Sequence, residues 1–378
     1  MTQVTDPSRR ILVVDDDPTY SRSIRRLLEV DGWDVTVACG PNEALTLLGH
    51  SEFAVVLSDY EMGSVDGVRF LRLVRLSTPN TVRLLLTGNS DFQVAVNAVN
   101  EGNVFRFVTK ASSPESIVAT VREASEEFKA RRRERNHEAE ERANEQRVLE
   151  AQFDSALSNL WMAYQPIISH SRGCTIAYEA LLRSTAKELS NPATILDAAE
   201  RLNGVGELGR TVRQRVSDEL TRTADIDAFI NLHALELMDE QLYQEDSPLT
   251  RHAQRVVLEI TERVALDEVS DMRDRLKRLR AVGFRIAVDD LGAGYAGLGS
   301  LVDLEPEVVK VDMALTRDIH LSPTKQKLVR GVAALGRELG WMLVVEGVEN
   351  AAERDCLVDL GCDIFQGYFF GRPAKLAV

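Results

Sequence analysis

The sequence is poor in cysteine. Its 378 residues hold four, at Cys39, Cys174, Cys356 and Cys362, and none sits in a Cys-x-x-Cys pair. That spacing argues against a zinc ribbon or a dithiol redox couple and leads us to expect a reducing compartment. No apolar run approaches the ~18–20 residues of a membrane span. The opening MTQVTDPSRR lacks the charged-then-apolar order of a secretory signal, so a cytoplasmic protein without a membrane span is expected. Positive charge is in deficit: 45 Lys and Arg against 59 Asp and Glu gives −14. A basic face for nucleic acid or for an anionic lipid surface is therefore not expected. What is present is ordinary for a globular chain, 44% hydrophobic and 28% charged, with length for two or three domains.

Residues 10 to 110 alternate apolar runs (ILVVDDD, WDVTVA, FAVVLSDY, RLLLTG, VFRFVTK) with stretches of helical spacing such as Ile24, Leu27, Leu28. Continuous apolar runs between helices read as a parallel sheet covered on both faces, here five strands in a doubly wound domain. Residues 121 to 147 lack Gly and Pro altogether, and sixteen of these 27 positions are charged, eight of each sign. They are expected to form a solvated helix laced by i,i+4 ion pairs. Apolar positions are too thin between Phe128 and Val148 for a coiled-coil seam, so a spacer helix is the preferred reading.

From about residue 160 a longer alternation begins: WMAYQPI, TIAYEALLR, FINLH, VVLEIT, RIAVDD, VVKVD, MLVVEGVE and CDIFQGYFF. Eight strands separated by helical segments predict a (β/α)8-type barrel. One helix is expected over 266–282, stopped by Gly283, and another starts at Ser322-Pro323 and stops at Gly340. The expected division is 9–125, a helical linker over 126–157, and the barrel over 158–378.

Seven of those eight strands end in a polar residue: Glu179, Asn231, Glu259, Asp289 with Asp290, Lys310, Glu346 and Gln366. Residues at the C-terminal ends of barrel strands converge on one face. Five carboxylates in one pocket repel one another unless cations neutralise them, and hard oxygen ligands without His or Cys select Mg²⁺ or Mn²⁺. The adjacent Asp289 and Asp290 could reach two ions ~3.5–4 Å apart, an arrangement suited to phosphodiester hydrolysis.

These motifs, YEALLR, INLH, LEITE, VDDLGAGYAGLGSL, VKVD, VVEGVE and FQGYFFGRP, resemble the EAL family of cyclic di-GMP phosphodiesterases over residues 160 to 374. The resemblance implies a barrel, two Mg²⁺ or Mn²⁺ ions and hydrolysis of cyclic di-GMP to linear pGpG. It implies that Glu179, Asn231, Glu259 and Asp289 hold one metal, and that Asp289, Asp290 and Glu346 hold the second. It implies that Lys310 contacts or helps activate the attacking water. It places Gln165, Arg183 and Gln366 at the substrate, and makes Glu262 the anchor of a loop beginning at Gly292. The family more often has Phe-Gly-Thr-Gly-Tyr-Ser there, where this chain has Leu291, Ala293 and Ala296. The alternative weighed is a binding module that senses cyclic di-GMP without cutting it. No GGDEF-like cyclase motif occurs.

In the first half, Asp15 and Asp16 end the first strand, Asp59 the third, Thr87 the fourth and Lys110 the fifth. Ligands of open parallel sheets bind beyond such ends. Two acids for Mg²⁺, a third as nucleophile, a hydroxyl and a lysine form a phosphoryl-transfer constellation. Residues 9 to about 125 resemble the receiver domain of two-component response regulators. By that resemblance Asp59 accepts phosphate from a histidine kinase, Asp15, Asp16 and Asp59 bind Mg²⁺, and Thr87 and Phe107 are switch positions alongside Lys110. Ala111 stands where the family usually has proline. No helix-turn-helix follows, so DNA is not an expected partner; a homodimer is.

Overall fold

Five short apolar runs become parallel strands because both of their faces are buried. A computed structural model describes residues 6–63, 66–88, 104–223, 226–260, 271–292, 301 and 303–376. The chain divides into two units, Met1–Glu145 and Gln146–Val378. In the first, β1 (Arg10–Val14), β2 (Asp34–Ala38), β3 (Val55–Asp59), β4 (Val82–Thr87) and β5 (Arg106–Thr109) form a parallel sheet in the order 2-1-3-4-5. Alternate residues feed two cores. Ile11, Val13, Leu57 and Leu84 pack with Ile24, Leu28, Ile117, Val121 and Phe128. On the other face, Leu12, Val14, Val56 and Leu85 pack with Ala44, Leu48, Phe70 and Val74. The covering helices are α1 (Pro18–Val30), α2 (Pro41–His50) and α3 (Gly67–Ser77). The strand order reverses between β1 and β3, which opens a crevice beyond their carboxyl ends.

The helix expected over residues 121 to 147 lies within α4, Pro114–Ser158, which continues through the boundary between the units. Its first turns bury Ile117, Val121, Ala124 and Phe128 in the first unit's core. Its last turns bury Phe153, Ala156 and Leu157 in the second's. Residues 132–148 are exposed. Ion pairs at i,i+4 join Arg131 to Glu127 at 2.7 Å and Arg142 to Glu138 at 3.8 Å.

The second unit is a closed barrel of β6 (Leu160–Ser169), β7 (Cys174–Ser184), β8 (Ala228–Leu232), β9 (Val256–Ile260), β10 (Arg285–Leu291), β11 (Val308–Val311), β12 (Met342–Val345) and β13 (Ile364–Gln366). It departs from an all-parallel (β/α)8 barrel in one strand. β6 is antiparallel to both β7 and β13. The cause is local: only residues 170–173 separate β6 from β7, too few for a crossover helix, and they form a turn with Gly173 at φ +63°. Around the barrel run α5 (Pro192–Arg201), α6 (Val205–Arg222), α7 (Met272–Val282), the single turn α8 (Met313–Thr316), α9 (Pro323–Leu339) and α10 (Ala351–Asp359). α7 ends at Gly283, and α9 starts on the Ser322 cap and stops at Gly340, as their signals predict. The expected beginning of α7, at 266–270, lies outside the described residues. No helix among the described residues is long and apolar enough to cross a membrane.

Ile167, Ala177, Phe229, Val257, Ala287, Val308 and Val344 fill the barrel interior, with Ile364 against them. Since side chains alternate along a strand, the next inward position lies two residues away. Those positions are Gln165, Glu179, Asn231, Glu259, Asp289, Lys310, Glu346 and Gln366. One apolar layer therefore supports one polar layer, each strand contributing one residue to each, with Glu346 coming directly after the end of β12.

Candidate metal centres

Lys310 lies at the middle of that polar layer. Its ammonium is 2.5 Å from Glu346 Oε1, 2.7 Å from Glu259 Oε1, 3.3 Å from Asp289 Oδ1 and 3.6 Å from Glu179 Oε2. Its side chain is 1% exposed. Burial opposes the charged lysine, but the four carboxylates outweigh it and hold the ammonium protonated well above the ordinary range. The carboxylates differ among themselves. Burial pushes Glu259 well above the usual range, with Lys310 opposing and Glu179 and Asp289 adding to the rise. Burial likewise takes Glu346 up to about 8 against the pull of Lys310. Burial also acts on Glu179, yet Lys310, Gln366 and Asn231 hold it below its ordinary value.

Glu259 is fully buried, and its Oε2 makes no hydrogen bond among the described residues. A buried carboxylate oxygen without a partner is costly and suits a cation. Asp289, Asp290 and Glu346 each offer an oxygen, all within 4.8 Å of one another. The donor set is oxygen only, so it fits hard divalent ions.

Successive strand residues face opposite sides, so Asp289 and Asp290 need a reason to share a site. The register of β10 slips between Val288 and Leu291, and Asp290 takes φ +60°. This bulge re-aims the second carboxylate. Gly347, after Glu346, has φ +67°, and a Cβ there would lie 2.4 Å from that of Met313. Only glycine lets β12 turn away past α8 directly after its ligand-type residue.

A cavity of about 460 Å³ holds Gln165, Glu179, Asp289, Asp290, Lys310, Glu346 and Gln366. Gln366 Nε2 donates to Gln165 Oε1 at 3.2 Å and also to Glu179. Arg183 is elsewhere. It lines a second cavity of about 290 Å³ with Asn231 and His233, and Leu181 lines both cavities. Asn231 Nδ2 nonetheless reaches Glu179 Oε1 at 3.2 Å. The motif reading missed Asp312, Arg317 and Glu349, which line the larger cavity. Arg317 pairs with Glu349 at 3.0 Å, and neither lies at a strand end. Glu262 and the loop residues 293–300 lie outside the described residues.

The first unit places its five groups at the crevice. Lys110 Nζ is 3.0 Å from Asp59 Oδ2 and 3.2 Å from Asp15 Oδ2. Asp15 and Asp59 are buried, Asp16 is exposed, and one oxygen of each lies within 4.8 Å of the others. Burial raises the Asp59 carboxyl, Lys110 opposing it. Thr87 ends β4, buried, and its carbonyl accepts the Lys110 backbone N–H at 2.8 Å. Phe107 on β5 is 38% exposed. The Lys110 ammonium also stands 4.8 Å from the centroid of the Tyr20 ring. No cis peptide occurs among the described residues, Lys110–Ala111 included.

Residues 146–373 match the EAL domain family, and residues 11–122 match the response regulator receiver domain. The cyclic di-GMP phosphodiesterase RocR of Pseudomonas aeruginosa is 28% identical over 96% of this chain and 95% of its own length. Signaling protein YkoW of Bacillus subtilis is 28% identical over 56% of this chain, which spans only 28% of YkoW. Among solved structures, BlrP1 of Klebsiella pneumoniae in complex with cyclic di-GMP and calcium is 32% identical, with a TM-score of 0.51. The match covers 57% of this chain and 56% of that one. A manganese complex of the same protein matches with a TM-score of 0.50.

Proposed function

Because the chain belongs to the EAL domain family, with a receiver domain ahead of it, we propose that it is a phosphorylation-regulated, metal-dependent phosphodiesterase that hydrolyses cyclic di-GMP to linear pGpG. The observation that carries this reading is the set of four carboxylates around the Lys310 ammonium, beside a cavity that Glu179, Asp289, Asp290 and Glu346 line. Glu179, Asn231, Glu259 and Asp289 would hold one Mg²⁺ or Mn²⁺, and Asp289, Asp290 and Glu346 the other. Bound there, the ions would polarise the phosphoryl oxygens and lower the pKa of water. Gln165 and Gln366 present amides from β6 and β13 to orient the substrate. Arg183, in the second cavity, supplies a planar cation for a phosphate. Lys310 holds the attacking oxygen and neutralises charge as water adds across one P–O bond.

In the receiver, Asp59 would take the phosphoryl group from a histidine kinase, with Mg²⁺ held by Asp15, Asp16 and Asp59. Thr87 and Lys110 would then pair with the new charge and bias the face that includes Phe107 and α4. A cytoplasmic homodimer suits this reading.

The test is turnover of cyclic di-GMP with Mn²⁺ or Mg²⁺, products resolved by chromatography, with and without a small phosphodonor. Linear pGpG as the first product supports the reading. Tight binding of cyclic di-GMP without turnover under any of these conditions makes the barrel a sensor instead.

A further inference from the structure

Among the described residues, a buried ion pair lies outside both centres. Arg213 on α6 is 5% exposed and pairs with Glu236, itself 6% exposed, in the turn after β8. Its second nitrogen reaches Asp239 Oδ2 at 2.6 Å. The free oxygen of Glu236, Oε1, accepts the backbone N–H of His233 at 3.1 Å. The helix leaves room for this carboxylate only because residue 209 is glycine, since a Cβ there would overlap Glu236 Oε2.

Buried ion pairs often add little stability compared with apolar side chains of the same volume, whereas their geometry is restrictive. Here the restricted object is the backbone at His233, two residues after Asn231. Asn231 in turn donates to Glu179 at 3.2 Å, and Gly209, Asn231, His233 and Glu236 all line the 290 Å³ cavity. A continuous path of contacts therefore runs from Arg213 to the ligand-type residues of the barrel.

We infer that Glu236 is a positioning residue: clamped by Arg213, it fixes the turn after β8 and so aims the Asn231 side chain at the metal centre. This inference rests on the assignment of Asn231 as a ligand. Partners that orient a metal's ligands typically change its affinity by ~10–100-fold when removed.

The test compares wild type, Glu236→Gln, and the apolar pair Arg213→Met with Glu236→Leu, in the full chain. Free Mn²⁺ is titrated by electron paramagnetic resonance, alongside thermal melts and separate KM and kcat values for cyclic di-GMP. The apolar pair is expected to melt near wild type yet bind Mn²⁺ about tenfold more weakly, since the His233 N–H has lost its acceptor. Glu236→Gln, which keeps an acceptor oxygen but not the charge, should fall between the two. Wild-type Mn²⁺ affinity in a well-folded apolar pair would overturn the inference. Should that pair fail to fold, Glu236→Gln decides, and Mn²⁺ binding equal to wild type overturns it. Wild type that binds Mn²⁺ without cutting cyclic di-GMP would remove the proposed activity while leaving this comparison intact.

Discussion

Asp289 and Asp290 are consecutive in sequence, yet both offer an oxygen to one cluster with Glu346, because Asp290 adopts φ +60° at a slip in the register of β10. A regular strand would have pointed one of them out of the barrel. Backbone strain of this kind persists where surrounding structure enforces it, and it is common where a site requires it.

Asp289→Asn and Asp290→Asn should each lower cyclic di-GMP turnover by at least ~10²-fold, since a two-ion arrangement fails when one ion is weakened. Both variants should fold, because neither residue belongs to the apolar layer. Chromatographic turnover assays with melting curves as control would check this, and near-normal turnover of either variant would refute the proposed ligand set.

Metal should stabilise the barrel. Binding to the folded chain alone adds roughly 2.7 kcal/mol when Mn²⁺ is at a hundred times its Kd. Burial holds Glu346 at about 8, above its ordinary 4.5, so the folded state favours its protonated form. That contribution is complete below about pH 4.5 and is lost as pH rises through about 8. Chelated protein should therefore melt progressively lower between pH 5 and 8, and Glu346→Gln should flatten part of that slope. A chelated wild type whose melting temperature climbs over this interval would contradict the assignment.

Asp59 should be the residue that takes up phosphate from a small phosphodonor in Mg²⁺. It pairs a buried strand-end carboxylate with Asp15, Asp16 and the Lys110 ammonium. Intact mass before and after incubation, for wild type and Asp59→Asn, checks this. Equal uptake by the two proteins would rule it out.

Coupling should require an unbroken α4. A flexible Gly-Ser stretch inserted near residue 137, in the exposed part of the helix, should abolish the response to phosphodonor and leave basal turnover intact. A typical coupling of ~1–3 kcal/mol corresponds to a 5–150-fold response in the parent. Retention of that response after insertion would mean that the helix serves only as a tether.

Much of the candidate site was legible because strands have a period of two. An apolar inward residue followed two positions later by a polar one, as in Val257 and Glu259 or Val308 and Lys310, announces a strand end facing the interior. The first barrel run, WMAYQPI, has no polar residue at its C-terminal end. β6 runs the other way, so its inward polar residue, Gln165, precedes Ile167. Four intervening residues could have revealed the reversal. The bulge at Asp290 carries no signal in residue type, and the Arg213–Glu236 pair brings together positions on different elements that no periodicity links. Arg183 falls in a cavity beside the carboxylates around Lys310, a distinction of side-chain direction that strand position alone does not make.

The polar layer has one consequence for how the molecule comes into being. Gln366 bonds across 201 residues to Gln165 and across 187 to Glu179. Contacts of such high order form slowly, because loop closure must come before they can contribute. During synthesis, the first polar residue of the site leaves the ribosome long before the last. The pocket is thus a terminal product of folding: a nascent chain can hold a finished receiver while its barrel has no functional fragment at all.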